Sequence, residues 1–212
     1  MKRRLFLLFL VLLFGCSGPT VANLGSGGKT IICFGDSLTV GDGATAGKDY
    51  PSQLSKLIGR DLINAGVSGD TTARALLRLD KDVLRHDPLL VVVLLGGNDF
   101  LRKMPKEQTF QNLEEIIGQI QSRGAMVVLV GVQSTLFGDI YRNDYQRVAR
   151  KYRAAFIPNI LRGIFTDSRL KSDSIHPNDA GYERMAQRIY ETISSLLEKN
   201  AKLRKEIATS KF

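Results

Sequence analysis

The chain is predicted to fold as an α/β domain of three layers, α/β/α, around a five-stranded parallel sheet. Five short apolar runs, residues 30–34, 61–65, 89–95, 125–131 and 155–158, alternate with five segments of helical period. That is the pattern of a parallel sheet covered on both faces. No internal repeat or low-complexity block interrupts the alternation, so no inserted lid domain is expected and any cover over a site must come from loops.

The first four residues carry three positive charges, and residues 5–14 are uninterrupted apolar sequence closing on Gly15-Cys16. As a helix rising about 1.5 Å per residue, this stretch reaches only about half of a roughly 30 Å hydrocarbon core. Residues 1–15 are therefore expected to be a signal peptide. Leu13-Phe14-Gly15-Cys16 resembles a bacterial lipobox, which implies a lipid-modified Cys16 and membrane attachment through that anchor; ordinary signal cleavage or a retained anchor is the alternative. Residues 16–28, rich in Ser and Gly, suit a flexible tether. Ser17 stands where Asp would resemble an inner-membrane retention signal, which favours the periplasmic face of the outer membrane in a cell with two membranes.

A single domain is expected over residues 29–198, long enough for a substantial core. Thr30-Ile31-Ile32-Cys33-Phe34 reads as its first strand and runs into Gly35-Asp36-Ser37-Leu38. Pro51, after Asp49-Tyr50, marks a helix start. The second run ends near Asn64-Ala65-Gly66-Val67-Ser68-Gly69-Asp70-Thr71, and the third ends in Gly96-Gly97-Asn98-Asp99. Phe110, Leu113, Ile116, Ile117 and Ile120 then repeat at helical spacing up to Gly124, as the buried stripe of a helix does. After the fourth run, Leu136, Phe137, Ile140 and Tyr141 offer apolar surface for a ligand, or packing within a buried loop. Tyr145, Val148, Ala149 and Tyr152 continue from Tyr141 as another helical stripe. Asp173-Ser174-Ile175-His176-Pro177 precedes Asn178, a helix start, and a last stripe from Tyr182 to Leu196.

The formal charge of +9 suggests a nucleic-acid partner until it is divided along the chain. Three charges lie at the amino terminus and a net four in the basic tail, residues 199–212, so the body keeps about two. Nucleic acid is excluded as the expected partner. The tail reads as a solvated helix end or a contact for anionic lipid or envelope polymer. Cys33 is the one cysteine besides Cys16, so the domain is expected to stand without a disulfide as a buried thiol-bearing core.

Four segments, Gly35-Asp36-Ser37-Leu38, the stretch around Gly69, Gly96-Gly97-Asn98-Asp99 and Asp173-Ser174-Ile175-His176, together resemble the SGNH, or GDSL, hydrolase family. Within it the similarity is to the thioesterase I and lysophospholipase group. The resemblance covers residues 29–197 and implies a flavodoxin-like strand order with the first strand near the centre. It also implies catalytic Ser37, His176 and Asp173, and an oxyanion hole from the backbone N–H groups of Ser37 and Gly69 with the Asn98 side chain.

The chemistry agrees with the residue types. A serine hydroxyl needs a positioned base, and an Asp three residues before a His can hold its Nδ1–H. Each motif follows the carboxyl end of a strand, the edge where open α/β sheets bind ligands. His86, before the third run, falls on the opposite edge. Asp36, Asp70 and Asp99 raise the rival of a Mg²⁺ site, but the family pattern uses them for loop geometry, so no metal and no cofactor is expected. No nucleotide-binding motif and no G-x-S-x-G elbow occurs. The expected activity is hydrolysis of lipid-derived or aryl acyl esters, or thioesters, through an acyl-enzyme. The rivals are O-deacetylation of an envelope polysaccharide and a partner-binding lipoprotein with a vestigial site.

Overall fold

A computed structural model describes residues 21–132 and 141–210; Cys16, Leu136, Phe137 and Ile140 lie outside them. Five strands, β1 (Thr30–Gly35), β2 (Ile63–Gly66), β3 (Pro88–Leu94), β4 (Met126–Val130) and β5 (Ala155–Ile157), form one sheet in the order β2-β1-β3-β4-β5. Every neighbouring pair is parallel. The expected class and the strand order implied by the resemblance are both present.

Alternation along β3 explains its unbroken apolar sequence. Leu90, Val92 and Leu94 enter one core, while Val91, Val93 and Leu95 enter the other. The first core is closed by α2 (Tyr50–Ile58) and α7 (Asp179–Thr209), through Leu54, Tyr182, Met185 and Ile189. The second is closed by α3 (Thr72–Asp82), α5 (Lys106–Ser122) and α6 (Arg142–Lys151), through Leu79, Leu113, Ile116 and Val148. A strand buried on both faces has no reason to alternate polar and apolar residues.

The expected helix starts hold. Asp49 caps α2 by accepting from Ser52 N, with Pro51 in the first turn. Asn178 caps α7 by accepting from Ala180 N and Gly181 N. Such caps satisfy amide donors that the helix itself leaves unpaired.

Three boundaries differ from the sequence expectation. The second strand begins at Ile63, because the register with β1 starts at Ile32 opposite Ile63. The flexible tether does not reach residue 28: Asn23 Nδ2 donates to Gln121 O and Ala125 O, and Asn200 Nδ2 donates to Leu24 O and Ser26 O. Val21 and Leu24 pack against the core. The basic tail is no separate segment through residue 209, since α7 runs for 31 residues and Asn200 on it is buried. Short side-chain amides binding backbone carbonyls gave no apolar pattern from which this docking could be read.

Gly35 closes β1 where no side chain fits. A methyl group there would collide with Thr39 Oγ1 and lie 2.5 Å from Leu94 O. Because neither backbone can yield without moving the sheet, Gly35→Ala is expected to cost at least about 2 kcal/mol, read as a lowered urea midpoint with an unchanged slope.

Candidate active site

Ser37 is the first residue of α1 (Ser37–Val40), a four-residue helix that leaves the carboxyl end of β1. Asp36 caps it, its Oδ1 accepting from Leu38 N at 3.1 Å. The loop after β2 is drawn against the same edge by Val67 N, which donates to Gly35 O at 3.1 Å. Gly69 in that loop has φ +75°, a conformation that glycine adopts without steric cost. After β3, Gly96 at φ +110° leads into α4 (Gly97–Leu101), which presents Asn98. The Asn98 amide donates to Asp70 O at 2.9 Å and makes a longer contact of 3.4 Å with Asp36 Oδ2.

His176 and Asp173 come from the irregular segment ahead of α7. That segment folds back on itself through a bridge between Lys171 and Pro177. Asp173 Oδ1 accepts from both Ile175 N and His176 N at 2.7 Å, and Oδ2 meets His176 Nδ1 at 2.8 Å. His176 Nε2 lies 3.1 Å from Ser37 Oγ. An ionised carboxylate can only accept, so Nδ1 carries the proton and Nε2 is left with a lone pair facing the serine.

The two carboxyl groups nearest this line are driven in opposite directions. Burial raises the Asp173 carboxyl, but the hydrogen bonds from the His176 ring and from Ile175 N and His176 N outweigh it, so its pKa is lowered. Burial dominates at Asp36 and pushes it up to about 7, against the Leu38 N–H and the nearby His176.

Arg78 was not visible as a site residue in the sequence. Its guanidinium donates to Asp70 Oδ2 at 2.7 Å, to Ala65 O and Gly35 O at 2.9 Å and to Asp82 Oδ2 at 3.0 Å. It also lies 4.5 Å from the centre of the Phe34 ring. One side chain thereby fixes the ends of β1 and β2 and the residue whose carbonyl holds Asn98. An arginine at a helical position about two turns past the nearest motif carries no sequence signal for that role.

The three aspartates weighed as cation ligands have separate partners. Asp36 is held by Leu38 N, Asp70 by Arg78, and Asp99 by Thr72 N and Thr72 Oγ1. His86 lies at the amino edge, in the turn before β3, with its ring near Lys81 O.

An open groove at Ser37, Asn98 and His176 has an apolar lining of Leu101, Val132, Leu161, Phe165 and Ile175. Tyr141 is elsewhere: its ring stacks on Phe100 at 3.7 Å and 5°, in the cluster with Phe110 and Tyr145. Each ring covers the other's face, so Tyr141 is a packing residue and not part of the groove described here. Phe165, Leu161 and Ile175 were missed because segment 158–176 has neither helical nor strand period.

A three-layer sheet carrying serine, asparagine and an Asp-x-x-His pair at its carboxyl edge is the arrangement of the SGNH class of hydrolases. The chain belongs to the GDSL-like lipase/acylhydrolase family, whose model matches residues 33–184, and it is an ester hydrolase of that family. Esterase TesA of Pseudomonas aeruginosa is 30% identical over 198 residues, covering 88% of this chain and 98% of that protein. The Escherichia coli K12 protein named thioesterase 1/protease 1/lysophospholipase L1 is 28% identical over 157 residues, covering 70% of this chain and 76% of its own. A crystal structure of TesA superposes with a TM-score of 0.74 at 31% identity, over 79% of this chain and 99% of that one.

Asp36 makes folding depend on pH. In the folded chain it keeps its proton to about pH 7, whereas its ordinary value is 3.8. The folded state therefore binds more protons between these values, and this group's contribution to stability falls as pH rises from about 4 to about 7. Asp36→Asn is expected to flatten that decline, measured as urea unfolding free energy at pH 4.5 and pH 8. An identical decline in both proteins would show that Asp36 is not its source.

Proposed function

We propose that this chain is an exported, lipid-anchored serine esterase that cleaves acyl esters of medium chain length through an acyl-enzyme intermediate. The observation that carries the mechanism is the line from Asp173 Oδ2 through His176 to Ser37 Oγ, with contacts of 2.8 and 3.1 Å. His176 Nε2 takes the hydroxyl proton as Ser37 Oγ attacks the carbonyl carbon. Asp173 holds the ring and stabilises the imidazolium that forms. The alcohol leaves with the proton from His176, and water then repeats the sequence on the acyl-serine.

Backbone N–H groups of Ser37 and Gly69 and the Asn98 amide receive the oxyanion in this reading. Asn98 suits the task because one amide hydrogen is engaged by Asp70 O at 2.9 Å, while the other spans 3.4 Å to Asp36. The developing oxyanion is a better acceptor than that long contact.

Chain-length preference is argued from the groove. Its walls of Leu101, Val132, Leu161, Phe165 and Ile175 favour alkyl over sugar, and each buried CH₂ contributes about 0.8 kcal/mol. Leu136, Phe137 and Ile140 follow Val132 in the chain and are proposed to extend the apolar side. Cys16 is proposed as the lipidated residue, on the strength of Leu13-Phe14-Gly15-Cys16.

Ser37→Ala is expected to abolish hydrolysis of a chromogenic ester while leaving the melting temperature near that of the unaltered protein. An organophosphonate should label Ser37 and no other residue. Asn98→Ala should lower kcat by about 10²–10³ with a smaller change in KM; an unchanged kcat would remove Asn98 from the oxyanion hole.

Octanoyl esters should show a higher kcat/KM than acetyl esters, and Phe165→Ala should narrow the difference. A polysaccharide deacetylase would give the reverse order, since its pocket must exclude longer chains. Faster turnover of acetylated sugars than of every medium-chain ester would overturn the substrate class and leave the serine mechanism standing.

A further inference from the structure

The charge that the body lacks as a whole is concentrated at one end of it. Helix α7 starts beside the His176 segment at the carboxyl edge and runs back along the sheet to the amino edge. There Asn200 Nδ2 donates to Leu24 O at 2.7 Å and to Ser26 O at 3.0 Å. Around that point Lys199, Lys202, Arg204 and Lys205 are exposed, offset by the exposed Glu198 and Glu206. None of the four has a carboxylate partner among the described residues. Lys29, Arg60, Arg123 and Arg153 are exposed on the neighbouring turns before β1, β2, β4 and β5, with Asp61 and Asp87 exposed on the same edge and Asp80 offsetting Arg123, so cations outnumber carboxylates there.

The amino-terminal chain leaves the body at this same edge. Ala22 N donates to Arg153 O at 2.9 Å, and Asn23 binds the turn before β4. From Cys16 to Val21 is a span of five residues, which at full extension covers at most about 18 Å. A bilayer holding Cys16 must then lie within that distance of the cationic edge. The catalytic groove opens at the other edge, about 20 Å away along strands rising about 3.3 Å per residue.

We infer that the amino edge of the sheet and the basic end of α7 form a docking face for an anionic lipid bilayer, which turns the catalytic groove away from the membrane that anchors the protein. The anchor in this arrangement rests on the reading of Cys16 given above. The lipid on Cys16 fixes the distance to the bilayer, and the basic patch adds an electrostatic contact that fixes the face turned toward it. The substrate class sharpens accordingly. Esters reach this site from the aqueous side or from a facing surface, and lipids of the anchoring leaflet do not.

The test uses protein extracted from its membrane fraction, with a fluorescent non-canonical amino acid in place of Ala201 or Ser168, so that neither Cys16 nor Cys33 carries a label. Quenching by headgroup-spin-labelled lipid is measured on phosphatidylcholine vesicles with and without phosphatidylglycerol, and intact mass reports the state of Cys16. On vesicles containing phosphatidylglycerol, the probe at 201 should be quenched at least about threefold more than the probe at 168, an excess lost in low-charge vesicles and in a Lys202→Glu, Lys205→Glu variant. Equal quenching at the two positions, or indifference to phosphatidylglycerol, overturns the docking face even when Cys16 is acylated. Preferential quenching at 201 in protein without the acyl group keeps the docking face and overturns the anchor.

Discussion

The guanidinium of Arg78 joins parts that the chain order keeps apart. Gly35 O ends the first strand, Ala65 O lies one residue before the end of the second, and Asp70 begins the turn into α3, and all three residues are bonded to this one side chain. Ser37 lies two residues from the first contact, and Asn98 hangs from the carbonyl of the third. Buried ion pairs repay their desolvation only when the remaining donors are also satisfied. Here a buried carboxylate, Asp70, is matched by donors that continue into backbone carbonyls, and Asp82 takes a further hydrogen. The spacing between serine and asparagine is thus set from beneath.

The second half of the site is organised differently. Asp173 and His176 lie on a segment with no ladder support beyond a single bridge, and their geometry is local. One carboxylate receives two backbone amides and the ring nitrogen of the same short turn. The aspartate–histidine unit is built within one short turn, and the 3.1 Å contact between Nε2 and Oγ brings it to the serine.

This division explains how much could be read in advance. The strands were visible because burial on both faces writes a continuous apolar run, as in Pro88–Leu94. The site segments were visible because their chemistry demands particular residues at strand ends. Two short helices, Ser37–Val40 and Gly97–Leu101, were not, since four or five residues do not complete an amphipathic period. Arg78 and the groove residues Leu161 and Phe165 were hidden for another reason: their roles depend on contacts far along the chain. Tyr141 shows the ambiguity of an apolar residue after a strand, which can serve a ligand or a neighbouring ring; its ring stacks on Phe100.

The Asp173 segment also sets how the protein fails. Regions held by few long-range contacts open at lower free energy than the sheet that carries them. Opening of residues 171–177 would withdraw the base from Ser37 while the five strands and both cores remain intact. Loss of turnover on warming would then be a local event that precedes melting, and catalysis would recover on cooling from temperatures at which the sheet has never come apart.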